Sequence, residues 1–161
     1  MEKVYLLLGS NLGKREENLA HAQQLIEMQC GKIIRSSFVY ETAAWGKQDQ
    51  QNFLNKALQI ETILSPLLLL RILKEIEKKL GRTEGEKWGP RIIDIDILFF
   101  GNKIIDEPQL KIPHLFLQER KFTLIPLCDI APRFLHPQIK RTVAELLSEC
   151  TDNLEVSKKE F

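Results

Sequence analysis

Two aspartates, Asp94 and Asp96, lie two residues apart inside the apolar run IIDIDILFF, directly after a Trp-Gly-Pro-Arg turn. Strand alternation would place both carboxylates on one face, with their Cα atoms about 7 Å apart. At that spacing they can hold a pair of divalent cations, and hard oxygen ligands favour Mg²⁺ or Mn²⁺ over Zn²⁺. The opposite face would carry four apolar side chains: Ile93, Ile95, Ile97 and Phe99.

Taken alone, a D-x-D pair is more often surface charge than a metal site. The surrounding sequence favours the metal site, because cations are frequent near it: Arg82, Lys87, Arg91, His114, Arg120 and Lys121. Metal ions with converging cations are typical of a polyphosphate site. The glycines before Lys87 do not form a P-loop, because that motif follows a strand and here a helical pattern precedes it.

The elements that must position these residues alternate between strand and helix patterns. We expect strands over residues 3–9, 32–42, 53–62 and 92–100, followed by a hairpin return over 102–110. We expect helices over residues 15–28, 66–80, 120–127 and 142–150, with Ser65 capping the second and Gly81 just past its end. Residues 43–52 and 82–90 have loop composition. This order predicts an α+β fold with helices packed on a mainly antiparallel sheet.

Composition sets limits on the partners and the compartment. The 161 residues suit one domain, 1–161, and the net charge of +1 argues against a nucleic-acid or membrane surface. The three cysteines lack C-x-x-C spacing, and no apolar run is long enough for a signal peptide or a membrane span. We therefore expect a cytoplasmic protein with reduced thiols and no nucleic-acid or membrane partner.

The segment Trp88-Gly89-Pro90-Arg91-x-x-Asp94-x-Asp96-Ile97-Leu98 closely resembles the signature of the 6-hydroxymethyl-7,8-dihydropterin pyrophosphokinases, enzymes of folate biosynthesis. The resemblance extends over about residues 3–135, in the family's order and spacing. It includes Gly9-Ser10-Asn11-Leu12, Tyr40-Glu41-Thr42, Gln48-Asp49-Gln50, Phe53-Leu54-Asn55, Glu77, Gly81-Arg82, Pro113-His114 and Arg120-x-Phe122.

The resemblance implies a ferredoxin-like α+β fold and a monomer that transfers the β,γ-diphosphate of ATP to the hydroxymethyl group of 6-hydroxymethyl-7,8-dihydropterin, leaving AMP. It implies two Mg²⁺ ions held by Asp94 and Asp96, with Arg82 and Arg91 also acting in catalysis. The implied ATP contacts are Glu77, Arg82, Trp88, Arg91, His114 and Arg120. Glu77 is equally well interpreted as one charge on a solvated helix face.

The pterin is a flat heterocycle with an amide and amino edge, which an aromatic face and a side-chain amide can bind. By resemblance the implied pterin contacts are Thr42, Ala43, Trp45, Phe53, Asn55, Trp88, Asp94 and Phe122. Two other functions stay open from the residues alone. A regulatory module of the same architecture would use D-x-D as surface charge, and a metal-dependent nuclease is disfavoured by the balanced charge.

Overall fold

The computed structural model of the chain describes residues 1–43, 50–81 and 90–160. Its main sheet is antiparallel, with strand order β5-β1-β4-β3-β8 and β2 also pairing with β4. The strands are β1 Glu2–Ser10, β2 Lys32–Ser36, β3 Tyr40–Thr42, β4 Phe53–Thr62, β5 Asp94–Phe100 and β8 Val156–Lys158. A separate two-stranded sheet pairs β6 Ile105–Glu107 with β7 Leu110–Ile112.

Helices cover both faces of the main sheet. The helices are α1 Arg15–Gln29, α2 Pro66–Lys79, α3 Lys121–Ile130 and α4 Val143–Glu149. Apolar residues of α1 and α2 pack into one buried cluster, and those of α3 and α4 pack into a second. The expected α+β, ferredoxin-like arrangement is confirmed. No helix in the described part of the chain is long and apolar enough to cross a membrane.

The predicted start and end of α2 are confirmed. The Ser65 hydroxyl accepts a hydrogen bond from the Leu68 backbone N–H at 3.3 Å, and Pro66 is the first helical residue. Gly81 follows the helix with a φ of +100°, a conformation that a residue without a Cβ adopts at little cost.

Two strand predictions are wrong in detail. The stretch 32–42 is two strands rather than one, because the Ser37 hydroxyl takes the hydrogen bond of the Ala57 N–H at 2.8 Å and interrupts the ladder. The stretch 102–110 does not return along β5. Its strand β6 pairs with β7 instead, so the sequence pattern indicated a hairpin but not the partner. The short strand β8 was not predicted.

Side-chain alternation along β5 holds from Asp94 to Leu98 and breaks at Phe99, which lies on the same face as Leu98. Tyr5 pairs with Phe99 while the next residue of β1, Leu6, pairs with Ile97, so one extra residue lies on β5. This bulge turns Phe99 to the opposite face from Ile97, contrary to the expectation from simple alternation. Phe99 packs there against Tyr5, with ring centroids 6.1 Å apart.

Candidate functional site

Asp94 and Asp96 share one face of β5, as predicted. Asp94 pairs with Gly9 of β1 and Asp96 pairs with Leu7, whereas the intervening Ile95 belongs to the cluster on the other face. Both carboxylates are partly exposed on the face that α3 and α4 cover farther along the sheet. The two carboxylates therefore project from a paired strand at the edge of the main sheet rather than from a loop.

Arg91 lies against this pair. Its Nη1 is 3.2 Å from Asp94 Oδ1, and both side chains are about three-quarters buried. The backbone of Arg91 is fixed by Asn11, whose Oδ1 accepts from the Arg91 N–H at 2.7 Å. The Asn11 N–H donates to the Arg91 carbonyl at 3.0 Å. These two hydrogen bonds with a buried asparagine fix the Arg91 backbone at the position from which its guanidinium reaches the Asp94 carboxylate.

Asn11 also reaches a third segment of the site. Its Nδ2 donates to Gln50 Oε1 at 2.9 Å and to the Gln51 carbonyl at 3.3 Å. One side chain thus connects the end of β1, the approach to β4 and the approach to β5. The sequence placed Asn11 in a motif but gave it no role, and the Gly-Ser-Asn turn directly after a buried strand was the available signal.

Glu77 is buried, so the interpretation as a solvated surface charge is wrong. Its Oε2 accepts a hydrogen bond from the backbone N–H of Ile95 at 2.7 Å. Lys74 Nζ lies 3.7 Å from its other oxygen. Because Ile95 stands between the two aspartates, Glu77 fixes the strand at the point where the carboxylates emerge. Its predicted contact with ATP stays a prediction.

Asn55 lies over Gly9 on the same face as Asp94. Asn55 pairs with Gly9 across β4 and β1, and its Nδ2 donates to the Leu8 carbonyl at 3.3 Å. A Cβ on Gly9 would lie only 2.8 Å from that Nδ2, so the amide needs a glycine beneath it.

Among the residues that the structure describes, two buried polar atoms here have no hydrogen-bond partner, namely Oδ1 of this amide and Thr42 Oγ1. Buried polar atoms are almost always paired in folded proteins. Thr42 pairs with Phe53, two residues before Asn55, so both polar atoms lie on neighbouring rows of the same face. This arrangement is typical of a pocket whose hydrogen bonds are completed by a ligand.

Of the remaining residues predicted to bind the pterin, some belong to the part of the chain that the structure describes and others do not. Ala43 is exposed directly after β3, and Phe122 packs against the apolar cluster on the Asn55 face. The structure thus brings four predicted residues to the face of Asp94: Thr42, Phe53, Asn55 and Phe122. The predicted residues Trp45, Arg82 and Trp88 lie outside the described residues, as does most of both expected loops.

His114 and Arg120 lie on the connection between β7 and α3. The His114 N–H donates to the carbonyl of Leu98 on β5 at 3.0 Å, and its Nδ1 accepts from the Phe116 N–H at 3.2 Å. The Arg120 guanidinium lies over two rings, 5.1 Å from the Phe116 centroid and 5.6 Å from the Phe122 centroid. Burial, and to a lesser degree the Arg120 charge, lowers the pKa of His114 to about 4.

Two clefts, of about 630 and 940 Å³, lie away from the aspartates. The smaller one borders Tyr5 and Gln59, and the larger one lies between α1 and Lys56. Across residues 1–43, 50–81 and 90–160, no group of three or more His, Cys, Asp or Glu side chains is assembled. The candidate site is therefore defined by the carboxylates of Asp94 and Asp96, by its cations, and by a buried amide oxygen that has no partner among the described residues.

Comparison with known proteins places this site in a family. Residues 5–132 match the family 7,8-dihydro-6-hydroxymethylpterin-pyrophosphokinase. The chain belongs to this family. It is 44% identical over 151 residues to the 2-amino-4-hydroxy-6-hydroxymethyldihydropteridine pyrophosphokinase of Aquifex aeolicus, covering 94% of both chains. It is 39% identical to the protein of the same name from Pseudomonas aeruginosa, covering 93% of both chains.

Longer relatives contain the pyrophosphokinase region as a part. The chain is 43% identical to the folic acid synthesis protein FOL1 of Dictyostelium discoideum and spans 21% of its length. Among solved structures, a Plasmodium falciparum HPPK-DHPS chain has a TM-score of 0.76 at 22% identity, and this chain covers 44% of it. An HPPK-DHPS chain solved in complex with substrates has a TM-score of 0.75 at 20% identity, and 43% of it is covered. At these identities, the two structural similarities show only that the fold is shared.

Proposed function

We propose that this chain transfers the β,γ-diphosphate of ATP to the hydroxymethyl group of 6-hydroxymethyl-7,8-dihydropterin and releases AMP. Pyrophosphokinase activity on the hydroxymethyl dihydropterin, in folate biosynthesis, follows from its family and from the names of its relatives. The observation that carries the proposed roles is one row of the sheet, in which Asn55 and Asp94 flank Gly9. The Asn55 amide, proposed to bind the heterocycle, and the Asp94 carboxylate, proposed to bind metal, lie on one face of the sheet.

Asp94 and Asp96 are the proposed metal ligands. Membership of a kinase family implies a need for a metal ion. Mg²⁺ commonly takes one or two carboxylates from the protein and leaves its other positions to phosphate oxygens and water. A pair of carboxylates without a third acidic or histidine neighbour among the described residues fits that habit. When bound, two Mg²⁺ ions would neutralise the triphosphate and stabilise the charge that develops during transfer.

The cations beside the carboxylates are the proposed ATP contacts. Arg91 is preorganised by Asn11 and presents a planar fork that suits phosphate oxygens. Because His114 Nδ1 accepts a hydrogen bond, the neutral ring carries its proton on Nε2, which can donate to a phosphate oxygen. Arg120 adds a charge on the same connection. Arg82, Trp88 and Glu77 complete the proposed ATP-binding set.

The pterin is proposed to occupy the neighbouring rows of Asn55 and Thr42. Asn55 Oδ1 would accept from the N–H edge of the heterocycle, and the Thr42 hydroxyl would satisfy a second edge atom. Phe122 and Phe53 would supply aromatic faces for the ring. Ala43 and Trp45 would form the rim of this pocket. Trp88 and Asp94 would lie toward the hydroxymethyl group, which places the acceptor oxygen beside the metal ligands.

One assay tests this assignment. The protein is incubated with ATP, Mg²⁺ and 6-hydroxymethyl-7,8-dihydropterin, and the nucleotides and pterins are separated by chromatography. The expected result is AMP in equal amount to pterin diphosphate, with no AMP when the pterin is omitted. Formation of ADP and a pterin monophosphate would contradict diphosphate transfer. Glu75→Ala, which removes an exposed carboxylate of α2, is the matched control for variants of the site.

A further inference from the structure

Residues 152–160 follow the region that matches the family, and they contact two separate parts of the proposed pterin pocket. On one side, β8 pairs with β3, and Val156 stands opposite Thr42. The Lys159 N–H donates to the Val39 carbonyl at 2.8 Å, and Lys159 Nζ lies 3.6 Å from the Glu41 carboxylate. The strand that carries Thr42 is only three residues long and is therefore held from both sides, by β4 and by β8.

On the other side, Asp152 completes the start of α3. The residue before this helix, Arg120, provides no side-chain cap. Asp152 Oδ2 instead accepts from the N–H of Lys121, the first helical residue, at 3.1 Å. Its other oxygen accepts from the Leu154 N–H at 3.0 Å, which fixes the carboxylate. A negative charge at a helix N-terminus also interacts favourably with the helix dipole. Phe122 is the next residue of the helix.

We propose that Asp152 and β8 act together as a positioning clamp for the pterin pocket. The clamp joins the strand of Thr42 to the first turn of α3, and so sets the separation between the polar edge contact and the aromatic face of Phe122. The inference rests on the proposed function, because it assumes that Thr42 and Phe122 bind the heterocycle. It assigns a role to residues beyond the part of the chain that the family match covers.

The main test compares two substitutions at Asp152. Asp152→Ala removes the acceptor for the Lys121 N–H, and we expect the KM for the pterin to rise about fivefold, the factor that corresponds to loss of one helix cap. Asp152→Asn keeps an acceptor oxygen and should restore most of the wild-type KM. The affinity for a non-hydrolysable ATP analogue should stay within about a factor of two in both variants, because Asp152 accepts from the Lys121 N–H and is not itself a proposed ATP contact.

A matched control separates positioning from general stability. Thr142→Ala removes the capping box of α4, in which the Thr142 hydroxyl accepts from the Glu145 N–H at 3.2 Å. It should lower the melting temperature about as much as Asp152→Ala does and leave the pterin KM unchanged. An equal rise in pterin KM for Thr142→Ala would overturn the clamp, because loss of stability alone would then explain the effect.

The strand half of the clamp has its own pair of variants. Lys159→Pro removes the N–H that donates to Val39, whereas Lys159→Ala keeps that N–H and removes the side chain beyond Cβ, including the ammonium group near Glu41. The proline variant should raise the pterin KM and the alanine variant should not. An unchanged KM in both Asp152→Ala and Lys159→Pro, alongside a raised KM in Asn55→Ala, refutes the clamp alone. An unchanged KM in Asn55→Ala refutes the pocket itself, and the clamp with it.

Discussion

Asn55 and Asp94 stand in the same row of the sheet, one on each side of Gly9. Two strand spacings of about 4.8 Å place their Cα atoms roughly 10 Å apart. Because Gly9 has no side chain, no side chain projects from β1 between the Asn55 amide and the Asp94 carboxylate. In the proposed function, the heterocycle is held at the Asn55 end and its hydroxymethyl group points toward the metal ligands. Gly9 is then as much a part of the pocket as the two polar residues.

The first prediction concerns that glycine. In Gly9→Ala the new Cβ would lie 2.8 Å from Asn55 Nδ2, closer than such atoms normally approach, so the amide must move. We expect the pterin KM to rise at least about tenfold, equivalent to about 1.4 kcal/mol, while ATP-analogue binding is preserved. The double variant Gly9→Ala/Asn55→Ala should be no worse than Asn55→Ala. Additive losses would mean that Gly9 acts independently of Asn55.

The second prediction concerns Asn55 itself. Asn55→Ala should weaken pterin binding and leave the affinity for an ATP analogue nearly unchanged. In the proposed function only the pterin bonds to the amide oxygen, which has no partner among the described residues. Calorimetric titration with each ligand in turn measures both affinities. Equal losses for the two ligands would show that Asn55 is a structural residue.

The third prediction concerns the metal ligands. Asp94→Ala and Asp96→Ala should each lower turnover by at least about 100-fold, the scale of losing one group that stabilises transition-state charge. Both variants should fold, because two neighbouring like charges repel each other when no metal is bound. Circular dichroism and thermal melting check the fold, with Glu75→Ala as the control for loss of a carboxylate. Near-normal turnover in both variants would exclude the two-metal assignment.

Local sequence patterns predicted the parts of the site that depend on one element. The D-x-D alternation placed Asp94 and Asp96 on one face, and the serine and proline before α2 gave its start. Both follow from periodicity and capping, which act within a few residues. The paired carboxylates and the motif that contains Asn55 are therefore recognisable from the sequence alone.

Contacts between distant segments could not be predicted in the same way. The bulge that turns Phe99 away from Ile97 arises from the pairing of β5 with β1, about 90 residues earlier in the chain. The sequence supports two interpretations of Glu77 equally, a solvated charge and a site residue, and only its hydrogen bond with the Ile95 N–H decides between them. Asp152 is likewise an ordinary acidic residue in sequence, and its role depends on the start of α3. Each of these depends on non-local packing rather than on local propensity.

The fourth prediction is a pH dependence of stability that arises at His114. The pKa of this imidazole is about 4 in the folded protein, because the ring is buried and the Arg120 charge disfavours a second positive charge. In the unfolded chain the ordinary value is about 6.5. Between these two values the unfolded state binds more protons than the folded state, so the free energy of unfolding decreases as the pH falls from 6.5 to 4.

Replacing the His114 imidazole should reduce the change of the unfolding free energy with pH. In His114→Gln the free energy of unfolding, measured by denaturant titration at half-unit steps of pH, should fall less steeply between pH 6.5 and 4 than in the wild type. His21→Gln removes an exposed imidazole of α1 and is the matched control. A wild-type slope in His114→Gln would mean that the pKa of His114 is not lowered in the folded protein, and the predicted shift would then be wrong. If His21→Gln keeps the pH dependence of the unfolding free energy and His114→Gln reduces it, the dependence arises at His114, whose ring accepts from the Phe116 N–H.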